Sequence, residues 1–177
     1  ITVGGTNGKG SCVALLDALL RAGGYRVGTF TSPHLVDYRE RIRLDGERVS
    51  EASLVAAFER IADALEGESL TFFEFNTLAA LLAFETWAPD AIVLEVGLGG
   101  RLDAVNIVDA DVAIVVSVAF DHMEWLGSDL ESIGREKAGI FRRARPAICG
   151  MAEPPRALSD VAEEVGAALL LRGRDFD

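Results

Sequence analysis

Residues Gly5-Thr6-Asn7-Gly8-Lys9-Gly10-Ser11 carry the three chemical features of a phosphate-binding loop. The glycines allow sharp turns that direct backbone N–H groups at an anion. Lys9 brings a cation on a flexible stem, and Ser11 a hydroxyl suited to a phosphate-bound Mg²⁺. Ile1-Thr2-Val3 ahead of the loop reads as a strand, and Val13–Leu20 behind it as a helix whose N-terminal dipole favours negative charge. The strict pattern G-x-x-x-x-G-K-[ST] is not met. It needs Gly at position 3, where Val3 stands, and Gly10 separates Lys9 from Ser11. A glycine-rich turn without a ligand is the competing reading. The order strand, glycines, lysine, hydroxyl, helix favours phosphate.

Further polar residues follow apolar runs. In Thr31-Ser32-Pro33-His34-Leu35 the Ser32 hydroxyl suits Mg²⁺, and a plain Ser-Pro turn fits as well. Arg39, Arg41 and Arg43 alternate, so an extended segment would put them on one face suited to carboxylate or phosphate. A solvated edge hairpin is the alternative. Glu95 closes the apolar run Ala91–Glu95, where an unpaired charge is costly and a metal ion is a suitable partner. Gly97, Gly99 and Gly100 then allow close backbone approach to a ligand, and Arg101 adds a cation. A structural glycine turn leaves Glu95 unexplained. Asp121-His122 follow the next apolar run, although a lone histidine is more often a satisfied polar residue than a ligand. By spacing alone, Lys137 in Arg135-Glu136-Lys137-Ala138-Gly139 is a surface lysine of a helix.

These residues need a scaffold that presents strand ends. The pattern predicts strands near Ile1–Val3, Val27–Thr31, Ala91–Glu95, Val112–Val116, Ala147–Cys149 and Ala168–Leu171. It predicts helices near Gly10–Ala22, Glu51–Leu65, Glu74–Trp87, Leu130–Phe141 and Pro155–Gly166. Strands apolar on both faces, alternating with helices, point to a P-loop-type, doubly wound α/β fold: a mostly parallel sheet flanked by helices. Ligands of such sheets sit at the C-terminal strand ends.

The chain has 177 residues, half of them hydrophobic, enough for a globular domain with a core. Its net charge of −11 argues against nucleic acid, and requires any anion site to make its own local positive field. No apolar stretch is long enough to span a membrane, and no signal-peptide pattern opens the chain. Two cysteines are too few for a disulfide framework, so a cytoplasmic protein is expected. The strand at residue 1 and the unfinished Arg172–Asp177 suggest one domain of a longer protein.

GTNGKGS, SPHL, EVGLGGRLDA, DH and REKAGIF, in that order, resemble the folylpolyglutamate synthase/dihydrofolate synthase family of the Mur ligase superfamily, with the bifunctional bacterial enzymes most similar. The glycine after Lys9 is the sharpest discriminator, because peptidoglycan Mur ligases typically read GTNGKT or GTNGKS. The resemblance implies the superfamily's central ATP-binding domain over residues 1–177, without the family's N-terminal lead-in or its C-terminal glutamate and nucleotide domain. It implies ATP contacts at Thr6, Asn7, Gly8, Lys9, Gly10 and Ser11. It implies two Mg²⁺ sites, with Ser32, Glu95, His122 and Lys137 as ligands, Lys137 in carbamylated form. Thr71, Phe72, Phe73 and Glu74, with Leu102, Asp103 and Ala104, match the pterin-contacting segments. Lys9, Glu95, His122 and Lys137 match the catalytic set.

The activity so implied is ADP-forming ligation of L-glutamate to dihydropteroate or folyl (poly)glutamate through an acyl phosphate. A monomer is expected, inactive as an isolated domain. Two other readings stand beside it: a Mur-type peptidoglycan amino-acid ligase, and a non-catalytic P-loop nucleotide module. The second would call for a guanine-specificity motif such as N-K-x-D, which the chain lacks.

Overall fold

The computed structural model describes residues 1–121 and 123–177. In chain order the strands are β1 (Thr2–Gly4), β2 (Val27–Phe30), β3 (Ile42–Leu44), β4 (Glu47–Arg48), β5 (Ala91–Glu95), β6 (Ala113–Val115), β7 (Pro146–Cys149) and β8 (Ala168–Leu171). The helices are α1 (Lys9–Ala22), α2 (Glu51–Ala64), α3 (Phe72–Trp87), α4 (Met123–Leu126), α5 (Leu130–Ala138) and α6 (Arg156–Val165). The chain divides into two compact units, Ile1–Cys12 with Glu95–Asp177, and Val13–Leu94. The expected α/β class with mostly parallel strands is borne out.

In the first unit β1, β6, β7 and β8 are neighbours in that order and all parallel, with Val3 opposite Ile114, Ala113 opposite Ala147, and Ile148 opposite Leu170. Val3, Val115, Ala147 and Cys149 are fully buried, as parallel strands require. On α5 the buried residues are Ile133, Gly134, Lys137 and Ala138. Lys137 is 3% exposed, which corrects the surface lysine expected from spacing. It lies four residues after Ile133, so it falls on the same inward stripe. Asp129 caps α5 by accepting from the Ser132 N–H at 2.8 Å.

In the second unit β2 lies between β5, parallel to it, and β3, antiparallel, with β4 beyond β3. The β3–β4 hairpin turns on Asp45 and Gly46, at φ 56° and 81°. Two consecutive left-handed residues make the tight hairpin turn that Asp-Gly favours. The alternating arginines therefore do not share one face. Arg39 belongs to a 3₁₀ turn, Tyr38–Arg41, and pairs with Asp37 at 2.7 Å. Arg41 is buried and donates to His34 Nδ1 at 2.8 Å, and Arg43 donates to the Gly46 carbonyl at 3.1 Å. Of the three, only Arg43 lies in the β3–β4 hairpin, and the buried Arg41 departs from the solvated hairpin expected as the alternative. On α2, Leu54, Ala57 and Ile61 form the buried stripe, and Ser50 caps its N-terminus. Among the described residues no helix is long and apolar enough to cross a membrane.

Candidate phosphate- and metal-binding site

The first unit assembles most of the predicted chemistry around the start of α1. After β1, Gly5 and Gly8 take φ values of 142° and 83°, conformations that side chains resist. A side chain at Gly5 would meet the Ser117 amide nitrogen at 3.1 Å, so the loop lies tightly against the segment following β6. Ser117, which the sequence reading missed, braces this loop. Its hydroxyl accepts from the Asn7 N–H and donates to the Asn7 carbonyl, both at 2.9 Å. Its carbonyl accepts from the Thr6 N–H at 2.8 Å. The Thr6 hydroxyl accepts from the Ala119 N–H at 3.0 Å and donates to the Ala119 carbonyl at 3.2 Å. Thr6 and Asn7 thus commit these groups to shaping the loop.

The N–H groups left for an anion come later. The first helical bond of α1 runs from the Cys12 N–H to the Gly8 carbonyl at 3.0 Å. The N–H groups of Lys9, Gly10 and Ser11 precede it, so they have no acceptor within the helix. With the helix dipole they form an anion-binding end. Lys9 curls back and donates from Nζ to the Gly5 carbonyl at 3.0 Å, which keeps its charge at the loop.

Glu95 closes β5 and is 5% exposed. The Val96 N–H donates to the Val3 carbonyl at 2.9 Å, which sets Glu95 beside the end of β1. Both Glu95 carboxylate oxygens lie 3.8 Å from where a Cβ at Gly10 would stand. A buried carboxylate thus faces the first turn of α1. Lys137 is also buried. Burial pushes its amine down to about 8, the like charge of Lys9 adds to this, and the Asp121 carboxylate opposes it.

Asp103 holds the loop after β5. Its carboxylate accepts from Leu98 N–H at 2.9 Å and Val105 N–H at 3.0 Å, capping the 3₁₀ turn Ala104–Ile107. Burial pushes its carboxyl up, against the pull of the Leu98, Val105 and Gly97 N–H groups and of Lys9. Leu102 is exposed and Ala104 half-buried. Among the described residues no group of three or more His, Cys, Asp and Glu could hold a metal ion by itself. His122 lies outside the described residues.

The remaining predicted residues belong to the second unit. Ser32 is half-buried and precedes Pro33, in a segment anchored by the Thr31 N–H donating to the Arg41 carbonyl at 2.9 Å. Thr71 and Glu74 form a capping box on α3: the Glu74 N–H donates to the Thr71 hydroxyl at 3.2 Å, and the Thr71 N–H to the Glu74 carboxylate at 2.7 Å. That is why α3 begins at Phe72 and not at Glu74. Phe73 packs on Phe30 at 5.8 Å between ring centres, whereas Phe72 is 62% exposed, with the Arg41 guanidinium over its ring at 5.2 Å.

The Mur ligase middle domain family matches residues 3–164. The dihydrofolate synthase/folylpolyglutamate synthase of Escherichia coli (strain K12) is 54% identical over 176 residues, which is 99% of this chain and 42% of that protein. The structure of E. coli FolC in complex with DHPP and ADP is 55% identical, covering 98% of this chain and 42% of that one, with a TM-score of 0.96. A bifunctional folylpolyglutamate synthase/dihydrofolate synthase with Mn, AMPPNP and L-glutamate bound is 53% identical, with a TM-score of 0.93 and coverage of 98% and 43%. The chain thus spans about two fifths of the length of these relatives. It belongs to the Mur ligase middle domain family.

Proposed function

We propose that this chain is the ATP- and divalent-metal-binding middle domain of a longer, monomeric, cytoplasmic ligase. The ligase joins L-glutamate to dihydropteroate, to folyl (poly)glutamate, or to both, and releases ADP. One observation carries the reading: the N-terminus of α1, with Lys9, faces the buried Glu95 carboxylate across the position of Gly10. The relatives' complexes with ADP, with AMPPNP and Mn, and with L-glutamate support it.

A carboxylate is a poor electrophile, so amide formation needs activation. In the proposed reaction the substrate carboxylate oxygen attacks the γ-phosphorus of ATP, the bond to the β-phosphate oxygen breaks, and ADP leaves. The glutamate amine then attacks the acyl carbon, and phosphate departs with the former carboxylate oxygen. The amine loses its proton. The N–H groups of Lys9, Gly10 and Ser11 and the Lys9 ammonium bind and orient the phosphates and offset charge as two anions meet.

Glu95 fits a metal ligand, being a buried hard oxygen donor opposite the phosphate end. Lys137 fits a carbamate: its buried amine, with a pKa of about 8, is the species that adds CO₂, releasing a proton and leaving an anionic oxygen donor. Bound Mg²⁺, in two sites, would neutralise phosphate charge. The ligand roles of Ser32 and His122 rest on the family motif, as do the pterin contacts of Thr71, Phe72, Phe73, Glu74, Leu102, Asp103 and Ala104. Catalytic roles for Lys9, Glu95, His122 and Lys137 follow the same motif.

The test is a substrate panel offered to the complete protein with ATP, Mg²⁺ and L-glutamate. ADP release is expected with dihydropteroate, tetrahydrofolate or both, and not with UDP-sugar peptidoglycan precursors. Turnover of the UDP-sugar alone, or preference for GTP over ATP, overturns the proposal.

A further inference from the structure

The loop bearing Leu102, Asp103 and Ala104 is tied to the end of the helix bearing Lys137 in part by two side chains outside every motif considered above, Asn106 and Arg142. The contact begins in the backbone. A Cβ at Gly100 would stand 2.8 Å from the Glu136 carbonyl oxygen and 2.9 Å from that of Lys137, and one at Gly139 would stand 2.4 Å from Arg101 Cβ. The Arg101 N–H donates to the Glu136 carbonyl at 2.9 Å, and its Nε to the Glu136 carboxylate at 2.9 Å.

Asn106 then closes the gap. Its Nδ2 donates to the Arg101 carbonyl at 3.0 Å and to the Gly139 carbonyl at 3.1 Å, one on each side of the contact. Its Oδ1 accepts from an Arg142 terminal nitrogen at 2.8 Å, and that nitrogen also reaches the Asn106 carbonyl at 3.0 Å. The other terminal nitrogen of Arg142 donates to the Gly139 and Phe141 carbonyls at 3.3 and 3.1 Å, and its Nε to Asp109 at 2.5 Å. Carbonyls at a helix end lack intrahelical donors, and here Asn106 and Arg142 supply them. An amide offers both donors and acceptor, and a guanidinium a planar fork of donors, so neither is replaced by a carboxylate or an ammonium without losing bonds.

We infer that Asn106 and Arg142 are positioning residues that fix the Asp103 loop against the Lys137 helix, and so place the pterin-bearing substrate for reaction. The inference rests on the ligase reading above. Both residues act through the loop and touch no reacting atom.

The experiment uses the complete protein as wild type, N106A, R142K and D109A. N106A is expected to raise the KM for the pterin substrate about tenfold or more while leaving the KM for ATP within about twofold, because small displacements of a bound reactant are costly. R142K shifts the same constant in the same direction by less. D109A, whose carboxylate is 88% exposed, leaves both constants within about twofold of wild type. Hydrogen exchange is read alongside: N106A speeds exchange of amides 98–105 and leaves those of the phosphate loop unchanged. The inference is overturned if N106A and R142K lower only the amount of active enzyme with both KM values unchanged, if D109A matches N106A, or if exchange at 98–105 does not change. A wild-type protein that ligates nothing overturns the ligase reading instead, and the exchange result still decides the brace.

Discussion

Both carboxylate oxygens of Glu95 lie 3.8 Å from the point where a side chain at Gly10 would begin. Gly10 is not among the residues with positive φ, and it sits inside α1. Its backbone therefore does not demand glycine, and a Cβ there would make ordinary van der Waals contact with the Glu95 carboxylate. G10A is expected to keep or slightly raise thermal stability, because alanine is favoured over glycine in a helix by up to about 1 kcal/mol. Its methyl group would stand between the carboxylate and an arriving phosphate or metal. Calorimetric titration with ATP and Mg²⁺ is expected to show affinity reduced about tenfold, a change of about 1.4 kcal/mol. Unchanged affinity would show that this space is not used.

Ser117 supplies a separate handle on the same loop. S117A removes both hydroxyl bonds to Asn7 while the Thr6–Ala119 pair remains. A loss of about 1 kcal/mol in nucleotide binding is expected, with little change in the KM for the pterin substrate. Equal loss for both ligands in kinetic assays would contradict a local role.

The burial of the Lys137 amine carries a cost in stability. Its folded pKa of about 8 lies below the ordinary 10.5, so the unfolded chain holds the extra proton between these values. Stability therefore rises with pH from about 8 to 10.5, and below pH 8 the full penalty is present. K137M is expected to be more stable than wild type at pH 7, by on the order of 3 kcal/mol, in metal-free and CO₂-free buffer. The gap should close towards pH 10.5. Thermal unfolding across pH reads this directly, and K137M should at the same time lose ligase activity in the complete protein. A K137M variant less stable than wild type at pH 7 would contradict the account.

The Thr71–Glu74 capping box should respond to acid. The Thr71 N–H and hydroxyl hold the Glu74 carboxyl below its ordinary value. Its contribution to stability is thus present above the unfolded pKa and is lost as pH falls through the folded one. E74Q should flatten the pH dependence of unfolding below about pH 5. T71A should cost about 1 kcal/mol through loss of the cap, and T71S far less. If T71A changes only the KM for the pterin substrate and leaves unfolding untouched, Thr71 acts on the substrate and not as a cap.

The phosphate loop was legible because its chemistry is local: glycines, lysine, hydroxyl and helix follow one another within a few residues. Glu95 was legible because a charge closing an apolar strand needs a reason. Two local signals were present but unused. Thr71-x-x-Glu74 is a capping pattern, and Asp45-Gly46 a hairpin turn. The burial of Lys137 was masked by its charged neighbours Arg135 and Glu136, although Ile133 and Ile140 flank it at helical spacing. The braces were not legible at all. Ser117 meets Asn7 across 110 residues and Arg142 meets Asn106 across 36, and no periodicity encodes such pairs.

The central claim, that a substrate carboxylate is activated by phosphoryl transfer at this site, is tested most directly with dihydropteroate labelled with ¹⁸O in its carboxylate. The complete protein turns it over with ATP, Mg²⁺ and L-glutamate, and the released phosphate is analysed by mass. The account predicts one ¹⁸O atom from the carboxylate in each phosphate formed, with labelling lost together with turnover in K9A. Phosphate without label, released in step with glutamylated product, would contradict it.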